Sequence, residues 1–454
     1  MSSVDAPTLT PAKMPSIPGV LGQIFALAIP FALGAAITSA LNLGKIALLA
    51  RAPDTGALQV LSLLQPAFIL ILAMMEALAI TNQVFSARSR HAWPRRGVRR
   101  ATLRLGGTGI VIFLGVAAAG QALALLWPTT DPTLRTMLDH AAPFVLSMIP
   151  FVLFDICYGA LRGQGKVLAG LLPFAALVAV DLAVTWTLVS RFGWGFEAVL
   201  AGNVTGALLM LPVIALLLWR ATRHADPVPD QPFRIRLKQL QIGVGLPVFS
   251  SLVVGFVSSS VIFPLLSHLG QEGASAFLVV LRYRIAFMIP AIAIGSAIAI
   301  LVNQQAEAGP QAHPRTATRY LCWGIGAMLI LYAGATALLP LWPAPLDLLV
   351  PARSQTLHAA TEGMFRQLLV TFFLVAASAM FQVILEQLGR GVQVLIIAIV
   401  TELGTCAALL WAMTRGADQT AVIAVMIGFA ALGFVLLAGQ VVVLMRRMGG
   451  PDAV

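Results

Sequence analysis

Charge is the scarcest commodity in this sequence: 10% of its 454 residues are Asp, Glu, Lys or Arg, while 59% are hydrophobic. Soluble domains carry about 25% charged residues, so a globular aqueous protein is excluded. Polar stretches long enough to form a soluble catalytic domain are also missing. The three cysteines, Cys157, Cys322 and Cys406, lack metal-ligand spacing and read as small apolar packing residues within or at the edge of spanning segments. The six histidines, His91, His140, His224, His268, His313 and His358, form no cluster and read as loop or helix-end residues. No metal site is expected. The phosphate-cradling pattern G-x-x-x-x-G-K-[ST] is absent too, since "LRGQGKVLA" at 161–169 has the wrong spacing. ATP hydrolysis is therefore not expected of this chain, nor is it read as an enzyme.

What fills the chain instead is apolar sequence. Twelve stretches are long enough to cross a hydrocarbon layer of about 30 Å as helices. They lie near 20–50, 57–85, 106–127, 141–161, 168–190, 196–219, 241–266, 275–303, 321–342, 366–388, 392–413 and 420–445. The first is too long for a signal-peptide core and reads as retained.

The formal net charge of +11 follows from topology. With the N-terminus inside, twenty Lys and Arg residues fall in inner loops and tails and six in outer loops. That asymmetry is the positive-inside pattern and predicts both termini in the cytoplasm. The run "SARSRHAWPRRGVRR" also suits contact with anionic headgroups. No nucleic-acid partner is implied.

The chain repeats itself once. "LAIPFALG" around Pro30 returns as "VGLPVFSS" around Pro247, an offset of 217, and "ITNQVFSA" at Asn82 and Gln83 returns as "LVNQQAEA" at Asn303 and Gln304, an offset of 221. "LLWPTTDP" at Trp127 and Pro128 returns as "PLWPAPLD" at Trp342 and Pro343, an offset of 215. "VLFDICYGALRGQG" returns as "AMFQVILEQLGRG", with Phe154 on Phe381 at 227. Six spans separate the copies, so they are parallel repeats related by an axis along the membrane normal. The expected organisation is a tail (1–19), a six-helix lobe (20–220), a charged, proline-rich linker (221–240), a second six-helix lobe (241–445) and a tail (446–454). Rocking one lobe against the other gives alternating access.

With this pattern in place, the chain resembles the multidrug and toxic compound extrusion (MATE) family over nearly its whole length. The residues that carry the resemblance are "LAIPFALGAAITSALNLGKIALLARAPDTGALQVLSL", "ALVAVDLAVTWTLVSRFGWGFEAVLAG", "GVGLPVFSSLVVGFVSSSVIFPLLSHLG" and "FMIPAIAIGSAIAILVNQQAEAG". The resemblance implies an all-α membrane protein of twelve helices in a V-shaped pair of lobes. It also implies export of amphipathic compounds from the cytoplasm in exchange for H⁺ or Na⁺. The sequence departs from the family where relatives keep acidic residues. Lys45 occupies the carboxylate position of the first helix, Gly255 that of the seventh and Ala379 that of the tenth, while Asp181 in the fifth remains. The usual Na⁺ sites therefore look incomplete.

Intramembrane charges are functional candidates because each costs about 2.5–3.5 kcal/mol at mid-helix on insertion scales. Lys45 and Asp181 form a candidate ion-coupling pair in which a tethered cation replaces a mobile one; the alternative is that Lys45 snorkels to the outer interface. Asn203 is a candidate uncharged ligand near Asp181. Arg282 and Arg284, two positions apart, point in nearly opposite directions on a helix. They are candidates for gripping an anionic substrate, against structural pairing with Glu386 or Glu402 and snorkelling of the other. Glu76, Glu386 and Glu402 are candidate proton carriers, and Asp155 is equally a structural residue.

The expected protein is thus a monomeric secondary exporter of the plasma membrane, bacterial inner membrane by its compact loops. It moves small molecules through the bilayer with H⁺ or Na⁺ as coupling ion and no other cofactor. Drugs, anionic metabolites and siderophore-like compounds are the expected cargo. The alternative is a flippase for lipid-linked precursors from a related superfamily.

Overall fold

The computed structural model describes residues 16–49, 56–90, 95–127, 132–223, 233–266, 270–305, 314–341, 355–416 and 418–449. Residues 1–15, 224–232 of the linker, 450–454, and Pro128, Trp342 and Pro343 of the repeat lie outside the described residues, as do His91, His224, His268 and His313. The helices are α1 (Ile17–Leu49), α2 (Gly56–Leu63), α3 (Gln65–Arg88), α4 (Arg95–Leu126), α5 (Pro132–Ser147), α6 (Ile149–Gly163), α7 (Val167–Phe192) and α8 (Phe196–Ala221), followed by α9 (Phe233–Leu240). After a π-helical turn at Gln241–Gly245 come α10 (Leu246–Leu266), α11 (Gly270–Gln305), α12 (Pro314–Leu338), α13 (Gln355–Leu385), the wide turn Glu386–Arg390, α14 (Gly391–Thr414) and α15 (Gln419–Gly449).

Ten apolar helical stretches qualify as spans by length and hydropathy. One, Gln355–Thr414, is 60 residues long and is two spans joined at Gly389, whose φ of 84° breaks the helix. Another span is the bent pair Leu134–Ser147 and Ile149–Gly163, angled by 42°. Counted this way, twelve spans are present among the described residues, and the all-helical, twelve-span fold in two lobes is borne out. The bend in the pair falls at Met148, just before Pro150, which has no N–H to continue the ladder.

Helix limits differ from the sequence reading in one instructive place. The arginines from Arg95 to Arg104 were expected in a loop, but they form the first turns of α4. Arginine is a good helix former, and aromatic rings receive these guanidinium groups: Arg99 lies 5.4 Å from the Trp219 ring and Arg104 lies 5.0 Å from Phe233. His140, read as a loop or helix-end residue, lies within α5, its Nδ1 2.8 Å from the carbonyl of Thr136.

Outward-facing side chains are large and apolar, among them Leu103, Leu126, Leu172, Ile330 and Val435. This is the inversion expected when the solvent is hydrocarbon. Inside, one apolar cluster gathers residues from Leu41 to Val248, including Phe113, Phe154 and Phe196. A second joins Val20, Ile24 and Ala28 to residues of α11, α12, α13, α14 and α15. A third fills the other end of the second bundle, around Phe277, Phe365 and Phe372. Helix α1 is therefore shared: its first half packs in the second cluster, and Leu41 and Leu49 pack in the first.

Candidate functional site

The polar centre of the first bundle is built where α1, α5, α7 and α8 meet. Small residues let these helices approach. A Cβ on Gly44 would stand 2.8 Å from Leu182 Cδ2, and one on Gly202 would stand 2.5 Å from Asp181 Oδ1 and 2.3 Å from Thr185 Oγ1. Gly206 faces the Leu177 carbonyl at a distance that would leave a Cβ only 2.8 Å away. Glycine on α8 therefore brings α7 close enough for its acid to meet α1.

Into that junction Lys45 sends its ammonium. Nζ lies 2.7 Å from Asp181 Oδ2 and 2.5 Å from Asn203 Oδ1. Lys45 is 7% exposed and Asp181 1%, so the ammonium is held inside the bundle and does not snorkel. Thr185 Oγ1 donates to Asp181 Oδ1 at 3.3 Å. Asn203 Nδ2 donates to Ser147 Oγ at 3.1 Å, and that hydroxyl donates to the Phe144 carbonyl at 2.7 Å. A chain of polar contacts thus runs from α7 through Lys45 and Asn203 to α5. At an effective dielectric of 20, opposite charges about 4 Å apart attract by roughly 4 kcal/mol, which offsets part of the cost of taking both ions out of water. Asn203, the candidate uncharged ligand near Asp181, lies beside the pair and accepts from Lys45. Thr185 and Ser147 carried no sequence signal, because a hydroxyl in an apolar helix more often bonds its own backbone.

The remaining candidates are dispersed. Asp155 lies 3.8 Å from Arg162, whose guanidinium stacks 4.8 Å from the Tyr158 ring. Glu76 on α3 is within electrostatic reach of Asp155. Arg284 is half-buried on α11, its Nη1 donating to Thr371 Oγ1 at 3.2 Å, with Glu402 of α14 in electrostatic reach. Arg282 is exposed, as two positions on one helix require. Glu386 is 4% exposed and accepts at Oε1 from Ser251 Oγ and from Gln382 Nε2, both at 3.0 Å. Among the described residues, no group of three or more His, Cys, Asp or Glu has metal-holding geometry. A groove of about 400 Å³ between α1 and the start of α7, lined by Ala26, Leu27, Lys166 and Leu172, is formed by other residues than these.

No family model matches the chain. A curated relative, the probable multidrug resistance protein NorM of Deinococcus radiodurans, is 27% identical over 328 residues, which cover 68% of this chain and 69% of that protein. Solved structures share the fold across nearly the full length. A MOP superfamily transporter from Pyrococcus furiosus, in which a binding pocket of reverse polarity suggests a different function, matches with a TM-score of 0.77 at 16% identity, covering 95% of this chain and 97% of that one. An outward-facing multidrug resistance MATE family transporter of the MOP superfamily matches at 0.76 and 16% identity, covering 94% and 96%. The resemblance carried by the proline, glycine and aspartate landmarks is borne out: this membrane-spanning chain has the fold of MATE transporters.

Proposed function

We propose that the chain is a secondary exporter of amphipathic small molecules, driven by exchange with protons, with the basic end of the bundle in the cytoplasm. The observation that carries this reading is Lys45, whose ammonium takes two oxygens, of Asp181 and Asn203, at 2.7 and 2.5 Å. A Na⁺ ion needs several oxygen ligands, and here a tethered cation already holds two of them. A proton needs only Asp181. Protonating that carboxyl removes the charge that balances Lys45 and leaves the ammonium with Asn203 alone, which favours a rearranged lobe.

The sign of this linkage restricts the cargo. A cationic compound and a proton compete for Asp181, and competition at one acid is what exchange requires. An anion held by Lys45 would instead favour protonation of Asp181, so anion and proton would bind together. Anionic cargo therefore fits Arg284 better than the Lys45 pair, and Arg282, exposed on the other face, is the weaker candidate. The reverse-polarity pocket described for the Pyrococcus furiosus neighbour supports a reading in which pocket polarity varies on this fold. The NorM relative's multidrug resistance name supports export over lipid-precursor flipping.

Vesicles reconstituted with the protein and loaded with a pH dye test the reading. Cationic amphiphiles should discharge an imposed proton gradient, and Asp181→Asn should abolish that discharge while the protein stays folded. Undiminished discharge by Asp181→Asn, or dependence on a Na⁺ gradient alone, would overturn it.

A further inference from the structure

At the basic end of the bundle the two lobes are clasped by neutral amides. Gln83, near the end of α3, donates from Nε2 to Gln387 Oε1 at 2.9 Å. Gln304, at the end of α11, donates from Nε2 to the Gly163 carbonyl at 2.8 Å, and its Oε1 accepts from Arg90 at 3.0 Å. Gln83 and Gln304 are equivalent in the repeat, at the offset of 221. The turns they reach are equivalent as well: each contains a left-handed glycine, Gly165 with φ 74° and Gly389 with φ 84°. Each lobe thus reaches from the end of one span into the other lobe's turn. The Arg88 guanidinium bonds Asn303 Oδ1 at 3.0 Å, and Asn303 Nδ2 bonds the Gln387 carbonyl at 3.0 Å, tying the two arms together.

The turns differ three residues before their glycines, where one carries Arg162 and the other Glu386. Arg162 has a counter-ion in Asp155. Glu386 has none among the described residues: its partners there are the hydroxyl of Ser251 and the amide of Gln382. The charged and titratable residues with described side chains on the elements packed around it are Glu76 and Arg88 on α3, with Arg90 just beyond its end, Arg282 and Arg284 on α11, His358, Glu362 and Arg366 on α13, Arg390 in its own turn and Glu402 on α14. Among the described residues no ion pair joins any of them to Glu386. The next residue, Gln387, is the one that crosses to Gln83 and also donates to Ser296 Oγ at 3.2 Å.

We propose that Glu386 is a proton-binding residue whose charge sets the clasp: protonated, it favours the closed basic end, and ionised, it favours the open one. With the clasp closed, an ionised carboxyl is buried with two neutral donors and no cation, which is costly. Opening between Gln83 and Gln387 hydrates it and removes that cost. Loss of its proton to the cytoplasm then holds the basic end open for cargo to enter. Only this last assignment rests on the exporter reading; the clasp and its charge dependence do not.

Spin labels at Lys166→Cys and Val392→Cys, both exposed positions flanking the two turns, report the separation of the lobes in a chain whose three native cysteines are replaced by alanine. In lipid nanodiscs the distance distribution should shift toward a longer population at alkaline pH. Glu386→Gln should remain in the short population at every pH, Glu386→Asp should keep the response, and Gln83→Ala with Gln387→Ala should populate the long distance even at acidic pH. A pH response in Glu386→Gln equal to the parent's, or its loss in Asp155→Asn with Glu386 intact, overturns the proposal. Should no compound be exported while the distance response still depends on Glu386, the exporter reading falls and this one stands.

Discussion

The two lobes share a scaffold and treat buried charge in opposite ways. In the first, the charges come in complementary pairs: Lys45 with Asp181 at 2.7 Å, and Arg162 near Asp155 at 3.8 Å. In the second, no ion pair is made among the described buried residues. Glu386 is held by a serine and a glutamine, and Arg284 by a threonine hydroxyl with Glu402 in electrostatic reach but beyond ion-pair distance. A paired charge is neutral as a unit and becomes expensive when one member is lost. A charge held by neutral donors is expensive already, and losing it relieves the fold. The same replacement of acid by amide is therefore expected to harm the first lobe and to steady the second.

The sharpest way to break this contrast is Asp181→Ala, which strands the Lys45 ammonium and should cost about 3–5 kcal/mol of stability together with all export. Thermal unfolding in detergent reads the first effect. Adding Lys45→Met to Asp181→Leu should recover stability without recovering transport, which separates the pair's two roles. Asn203→Ala comes next: it removes a hydrogen bond to a charged donor and should cost about 1.5–3 kcal/mol, with the ammonium still held by Asp181. Arg284→Ala should leave the melting temperature near that of the parent and reduce transport of anionic compounds more than of cationic ones. Equal losses for both in a paired uptake assay would make Arg284 structural. The smallest effect belongs to Arg282→Ala, expected within about 0.5 kcal/mol because the side chain is exposed; a large transport defect there would move the anion site to that face.

Much of this was legible because lipid makes charge conspicuous. Twelve spans follow from hydropathy, and Lys45 and Asp181 stand out as ionisable residues in segments where apolar replacements are available. Their contact follows from the glycines of α8, whose importance depends on a neighbour in space that no spacing reveals. Neutral partners were illegible for a related reason. Ser147 and Thr185 look like ordinary helix hydroxyls, and Gln83 and Gln304 stood out as marks of the repeat without showing that they cross between lobes. The repeat register itself shifts, from an offset of 227 on Phe154 and Phe381 to 224 at the left-handed glycines Gly165 and Gly389, because the first lobe has three more residues between the two landmarks than the second.

Helix α1 has a mechanical consequence. Its Ile24 and Ala28 are seated among side chains of the second lobe, Gln23 is bonded to Tyr320 on α12, and Leu41, Lys45 and Leu49 are seated in the first lobe. Pro30, between the two seats, leaves a gap in the hydrogen-bond ladder and so a soft point along the rod. A helix anchored in this way works as a crank: separating the lobes near Gln23 must either flex it at that proline or drag the ammonium away from its acid.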